Sequence, residues 1–142
     1  MFPAQYALNE YRQANVDAGA AYADPHMLVS MLFNGLQEKL SVAKGAIGRN
    51  DNGEKGEALG KAINIIGYLQ GCLDLEKGGE VAANLDALYD YMAMRLLQAS
   101  ASNDASIVDE IQGIEGKIQD SWEAIREDAV KLGTPQPEKT EG

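Results

Sequence analysis

Four long stretches of this sequence repeat their apolar residues every three or four positions, and runs of turn-forming residues separate them. That period matches the turn of an α-helix, and alternation of strand type over strand length occurs nowhere. The first stretch opens at Asp24-Pro25, where aspartate suits the N-cap and proline the first helical position. It places Leu28, Leu32, Leu36, Leu40 and Ala43 on one side, with Val29, Phe33 and Ile47 widening the stripe. Beyond the turn residues Gly48 to Gly53, Leu59, Ile63, Ile66, Leu69 and Leu73 mark a second helix. It is predicted to stop at Lys77-Gly78-Gly79, where one glycine takes the left-handed C′ position and the other begins the next helix. The third starts near Glu80 with Val81, Leu85, Leu88, Met92 and Leu96 as its core stripe. Ser102-Asn103-Asp104 supplies caps for a fourth, whose narrow stripe runs through Ile107, Ile111, Ile114, Ile118, Trp122, Ile125, Ala129 and Leu132 before Gly133-Thr134-Pro135 ends it.

Helices of this length joined by short turns have to pack beside their sequence neighbours. The reading is an all-α, antiparallel up-down four-helix bundle over residues 24–132, preceded by an N-terminal arm, residues 1–23, and followed by a polar tail, residues 133–142, expected to be disordered. A chain of 142 residues with 45% hydrophobic content supports one core and not two.

The net charge of −10 argues against nucleic acid and anionic membrane as partners, since both are polyanions. Cys72 is the only cysteine, so no internal disulfide forms, and no apolar run suits a signal peptide or a membrane span. A cytoplasmic protein is expected. Candidate chemistry is sparse. His26 is the only histidine, which excludes a histidine-containing triad and the paired-histidine metal motifs. A histidine phosphotransfer module is the sharpest alternative, but His26 follows Pro25 at a helix start, where a solvated side chain is expected rather than a mid-helix phosphoacceptor. Asp109-Glu110 and Asp86/Asp90 fall outside the apolar stripes, Trp122 falls within one, and Cys72 has no activating cation except Lys77 within a helical turn. No nucleotide-binding glycine motif is present. The expectation is a protein without catalytic residues, cofactor or metal.

What remains is apolar surface beyond the needs of one core. Met27, Met31 and Val42 project away from the first stripe, and Ala82, Tyr89, Ala93 and Leu97 widen the third helix's apolar sector to about half its circumference. Gly60, Gly67 and Gly71 line one edge of the second stripe, where close approach of another backbone would offset their cost of about 1 kcal/mol each. Ordinary bundle packing or a homodimer seam would explain each feature singly; together they point to a groove that accepts a helix. Phe2, Tyr6, Leu8, Tyr11, Val16 and Tyr22 give the arm the composition of a reversible occupant of that groove.

Tyr11-Arg12-Gln13, Pro25-His26-x-Leu28 and Leu73-Asp74-x-Glu76-Lys77-Gly78-Gly79-Glu80 occur in that order, followed at once by Ala83-Asn84-Leu85-Asp86-Ala87-Leu88-Tyr89-Asp90-Tyr91-Met92. From about Asn9 to Ile125 this order resembles the FliS family of flagellar export chaperones. The resemblance implies a four-helix bundle that binds the disordered C-terminal segment of flagellin, prevents its premature polymerisation, and assists its delivery to the export gate through the cytoplasmic domain of FlhA. It also implies that the arm around Tyr11 covers part of the groove until a client displaces it. Tyr11, Met27, Met31, Gly67, Gly71, Tyr89, Ala93 and Leu97 are the expected partner-binding residues.

Overall fold

The structure, a computed structural model, describes the chain from Pro25 to Lys131, with side chains to Ala124. The expected arm with Tyr11, the expected tail, Leu132 and the side chains of Ile125 and Ala129 lie outside the described residues. Four helices are present: α1 (Pro25–Gly48), α2 (Asn52–Gly71), α3 (Gly79–Ser102) and α4 (Ala105–Lys131). No strand occurs among the described residues.

The turn chemistry read from the sequence sets four of the helix ends. Asn50 takes the left-handed conformation (φ 58°) after α1, and the N–H of Asp51 donates to the Ala46 carbonyl at 2.9 Å. Asp51 then caps α2, its side chain accepting the Glu54 N–H at 3.0 Å. Asn103 (φ 58°) closes α3, and Asp104 opens α4 by accepting the Ser106 N–H at 2.9 Å.

The second helix departs from expectation, because α2 stops at Gly71 rather than Lys77. Asp74 is the reason. Its side chain accepts the Lys77 N–H at 3.0 Å and its carbonyl accepts the Gly78 N–H at 2.7 Å, a local turn that competes with continued helix. Of the two glycines, Gly79 takes the positive φ of 57°. Gly78 is needed for space: a Cβ there would lie 2.8 Å from the Asp74 carbonyl and 2.5 Å from the Ala82 Cβ.

Helix α1 packs against α2 and α4, and α3 packs against the same two helices. Along the α1–α4 seam a polar ladder fixes the register. Lys44 pairs with Asp109 at 2.7 Å, Gln112 donates to Ser41 at 3.0 Å, Gln119 to Asn34 at 2.7 Å, and Trp122 Nε1 to Ser30 at 3.2 Å. Numbers fall along α1 as they rise along α4, so the two run antiparallel. The same holds for α2 and α3, where Lys55 reaches the Ser100 carbonyl at 2.9 Å and Gln70 reaches Asp90 at 2.8 Å. The link between α1 and α2 is three residues, which span at most about 11 Å, whereas α1 is about 36 Å long. The chain must double back there.

Leu28, Leu32, Leu36 and Leu40 of α1 are wholly enclosed, facing Leu59 and Ile66 of α2, Met92 and Leu96 of α3, and Val108 and Ile111 of α4. Helix α3 is turned relative to its expected stripe. Val81, expected in the core, is 70% exposed, while Ala82 and Tyr89, expected to widen the face toward solvent, are buried. The inward face of α3 keeps Met92 and Leu96 of the expected stripe, adds Ala82, Tyr89 and Ala99, and leaves Leu85 and Leu88 half-buried at its margin.

Candidate functional site

Because α2 ends early, the bundle is left open where the Leu73–Gly78 link crosses from α2 to α3. An apolar cavity of about 490 Å³ lies there, walled by Val29 and Phe33 of α1, Leu69 of α2, Leu73 of the link, Leu85 and Tyr89 of α3, and Ile118 and Trp122 of α4. Val81 stands at its edge, and Lys117 and Ser121 supply its polar groups beside Cys72. Trp122 is held from three sides. Its Nε1 donates to Ser30, Phe33 meets it edge-on at 6.4 Å between ring centroids, and His26 stacks on it at 4.2 Å with the planes 18° apart. His26 is therefore part of the wall that fixes Trp122, not the freely solvated helix-end residue expected from its position after Pro25.

The chemistry of the walls is inert. Burial pushes the Cys72 thiol up to about 11, so it carries no thiolate at neutral pH. Burial is also the main cause that raises the Tyr89 hydroxyl above its ordinary value. No group of three histidine, cysteine or acidic side chains among the described residues is placed to hold a metal ion.

The expected partner-binding residues do not converge on one surface. Tyr89 lines the cavity. Met31 and Ala93 are half-buried against the core, and Gly71 is the last residue of α2. Met27 is exposed in the first turn of α1, and Leu97 is 61% exposed on the outside of α3. Gly60 and Gly67 are exposed, and a Cβ at either would meet nothing within 4 Å, so no close approach within the described chain requires them to be glycine.

Two buried charged side chains among the described residues escaped the sequence reading, Lys55, which donates to the Ser100 carbonyl and to Asn103, and Glu115. Glu115 is 1% exposed at the heart of α4, where its Oε1 accepts a hydrogen bond from Gln37 and its Oε2 has no partner. The signal was available in the spacing, since Glu115 lies four residues after Ile111 and three before Ile118. Desolvation raises its carboxyl to about 7, an effect that the Gln37 hydrogen bond only partly opposes.

The described residues form an all-α bundle with an open apolar cavity, a surface onto which an amphipathic segment can pack. The family model described as flagellar protein FliS matches residues 7–129. The chain is 43% identical over 122 residues to flagellar secretion chaperone FliSB of Pseudomonas aeruginosa, covering 86% of this chain and 97% of that protein. Flagellar secretion chaperone FliS of Salmonella typhimurium is 45% identical over 119 residues, 83% of this chain and 88% of the relative. The Bacillus subtilis protein of the same name is 37% identical over 112 residues, 79% of this chain and 80% of the relative. This chain belongs to the FliS family.

Proposed function

We infer that this protein is a flagellar secretion chaperone, not an enzyme, and that its client is flagellin. In this reading it acts in the cytoplasm, holds the C-terminal segment of flagellin against premature polymerisation, and brings it to the cytoplasmic domain of the export-gate protein FlhA. The observation that carries the reading is the open apolar cavity on a member of this family. An amphipathic segment that is disordered when free can fold onto such a surface, and the ordering cost keeps the complex releasable. Among the described residues no helix is long and apolar enough to cross a membrane, which fits a site of action outside the bilayer.

The arm is the natural occupant of the cavity before a client arrives. Pro25 begins α1 one residue before His26, which stacks on Trp122 of the cavity wall, so the point where the arm is attached lies beside the cavity. Tyr89, Met27 and Met31 are assigned to the client surface nearest that point, with Gly67, Gly71, Ala93 and Leu97 along the path of a longer client. Val81→Glu tests the assignment. Val81 borders the cavity but is largely exposed, so the substitution is expected to leave thermal stability within about 0.5 kcal/mol while lowering affinity for a flagellin C-terminal peptide about tenfold or more. Unchanged affinity in a fluorescence anisotropy titration would move the client away from this cavity.

A further inference from the structure

Helix α4 changes character halfway along. Its first half is fixed in the core: Ile107, Val108 and Ile111 are buried, and Glu110 is tied to Arg95 of α3 at 2.8 Å. Beyond Gly116 the apolar side chains Ile118 and Trp122 are only half-buried, because their inner side is the wall of the cavity. The hydrogen bonds that hold this second half run to α1, from Gln119 to Asn34 and from Trp122 to Ser30.

Between the halves stand Gly113 and Gly116, of the residue type least favourable in a helix interior after proline. Neither is there for space. A Cβ at Gly113 would meet nothing within 4 Å, and one at Gly116 only the Gln37 amide at 3.9 Å. The same Gln37 Nε2 donates to the Gln112 carbonyl at 3.1 Å, the acceptor that the Gly116 N–H uses in a regular α-helix, so a side chain of α1 competes for the backbone ladder at this point. Glu115 lies between the glycines, buried, with one carboxylate oxygen on Gln37 and the other without a partner. The titratable groups that act on it are the Tyr89 hydroxyl of α3 and Asp120 further along α4, while Lys44 of α1 is engaged with Asp109 and Gln112. None of these neutralises an ionised carboxylate, which is therefore costly for as long as α4 stays packed.

We propose that Gly113 and Gly116 form a hinge on which the second half of α4 swings out from the bundle, carrying Glu115 into water, so that the charge on Glu115 sets how often the swing occurs. Ile118 and Trp122 move with it, and the cavity widens to admit a bulkier apolar segment than the closed bundle holds. The hinge depends on the geometry of α4 and the cavity and does not rest on the flagellin reading. The sign of the pH effect follows from burial, which raises the Glu115 carboxyl to about 7 in the closed helix against an ordinary 4.5. Opening therefore becomes easier as pH rises from 4.5 to about 7.

Residue-resolved amide hydrogen exchange on the full chain tests the hinge, because a detached half-helix of about fifteen residues is marginal in water and exposes its amides. Protection of residues 117–124 is expected to step down about tenfold or more from that of residues 109–112, and to depend only weakly on urea, since this opening exposes little surface. From pH 5 to pH 8, with the intrinsic exchange rate divided out, it is expected to fall about tenfold further, and Glu115→Gln to remove that fall. Gly113→Ala/Gly116→Ala, which the structure has room for, is expected to raise it about tenfold or more. Unaltered protection of residues 117–124 in the alanine variant overturns the proposal, since the end of α4 would then fray without bending at the glycines. A fall of the same size in Glu115→Gln also overturns it. So does a urea dependence equal to that of residues 109–112, because α4 would then leave only when the whole bundle unfolds.

Discussion

Glu115→Gln is expected to be more resistant to denaturant than the unsubstituted chain at about pH 8, by about 2 to 3 kcal/mol, and nearly equal to it at about pH 5. The folded carboxyl titrates at about 7 against an ordinary value of 4.5, because Glu115 is enclosed among Gln37 of α1, Tyr89 of α3 and the rest of α4, with Asp120 as a like charge on its own helix. The folded state therefore holds a proton that the unfolded chain has already released. The sign follows: between about pH 4.5 and pH 7 stability falls as pH rises, and above that window the full cost of a buried charge is present. Glutamine keeps the shape and has no charge to bury. Comparing the two proteins at each pH removes the contribution of the other carboxylates, which is common to both. Parallel curves for the two proteins across the range would show that Glu115 is solvated, contrary to its position in the bundle.

A pair of identical substitutions reads the faces of the bundle with the next largest effect. Leu36→Ala is expected to cost about 2 to 5 kcal/mol, because Leu36 is wholly enclosed and its loss leaves a cavity that rigid neighbouring helices cannot fill. Leu97→Ala removes the same atoms from an exposed position and is expected to stay within about 0.5 kcal/mol. Urea denaturation of both variants checks the difference, and a large loss for Leu97→Ala would place that residue in a buried interface.

Much of the fold was legible in the sequence because its signals are local. The leucines of α1 recur with helical period, and Asp51, Asn103 and Asp104 act where turn chemistry places them. What was not legible depends on contacts between distant residues. The stripe through Val81 and Leu85 is periodic whether it faces a core or a cavity, and only the early end of α2 decides that Val81 has no neighbour to cover it. The period alone could not tell Tyr89 from Leu88 as the more deeply buried residue, since adjacent positions lie about 100° apart on the helix. The narrowness of the α4 stripe was visible, but not its cause. Asp109, Gln112, Glu115 and Gln119 turn to α1, so the α4 register is set by hydrogen bonds in place of further apolar contacts. Family membership was legible for a different reason, in the ordered block from Leu73 to Met92 rather than in any physical pattern.

The same separation explains the partner-binding residues. Surplus apolar positions can be counted from sequence, but whether they share a surface depends on helix rotation. Tyr89 reaches the cavity wall, Leu97 the opposite side of α3, and Met31 the margin of the core. A client that wraps the bundle would touch several of these faces, whereas one confined to the cavity would touch only the first.

Calorimetric titration of the full chain with the C-terminal segment of its own organism's flagellin, with circular dichroism followed in parallel, tests the central claim most directly. One-to-one binding with a gain of helix and a negative heat-capacity change is the expected result, the signature of a disordered segment folding onto apolar surface. No heat and no change in helix content at any of several salt concentrations would contradict a flagellin-binding role for this bundle.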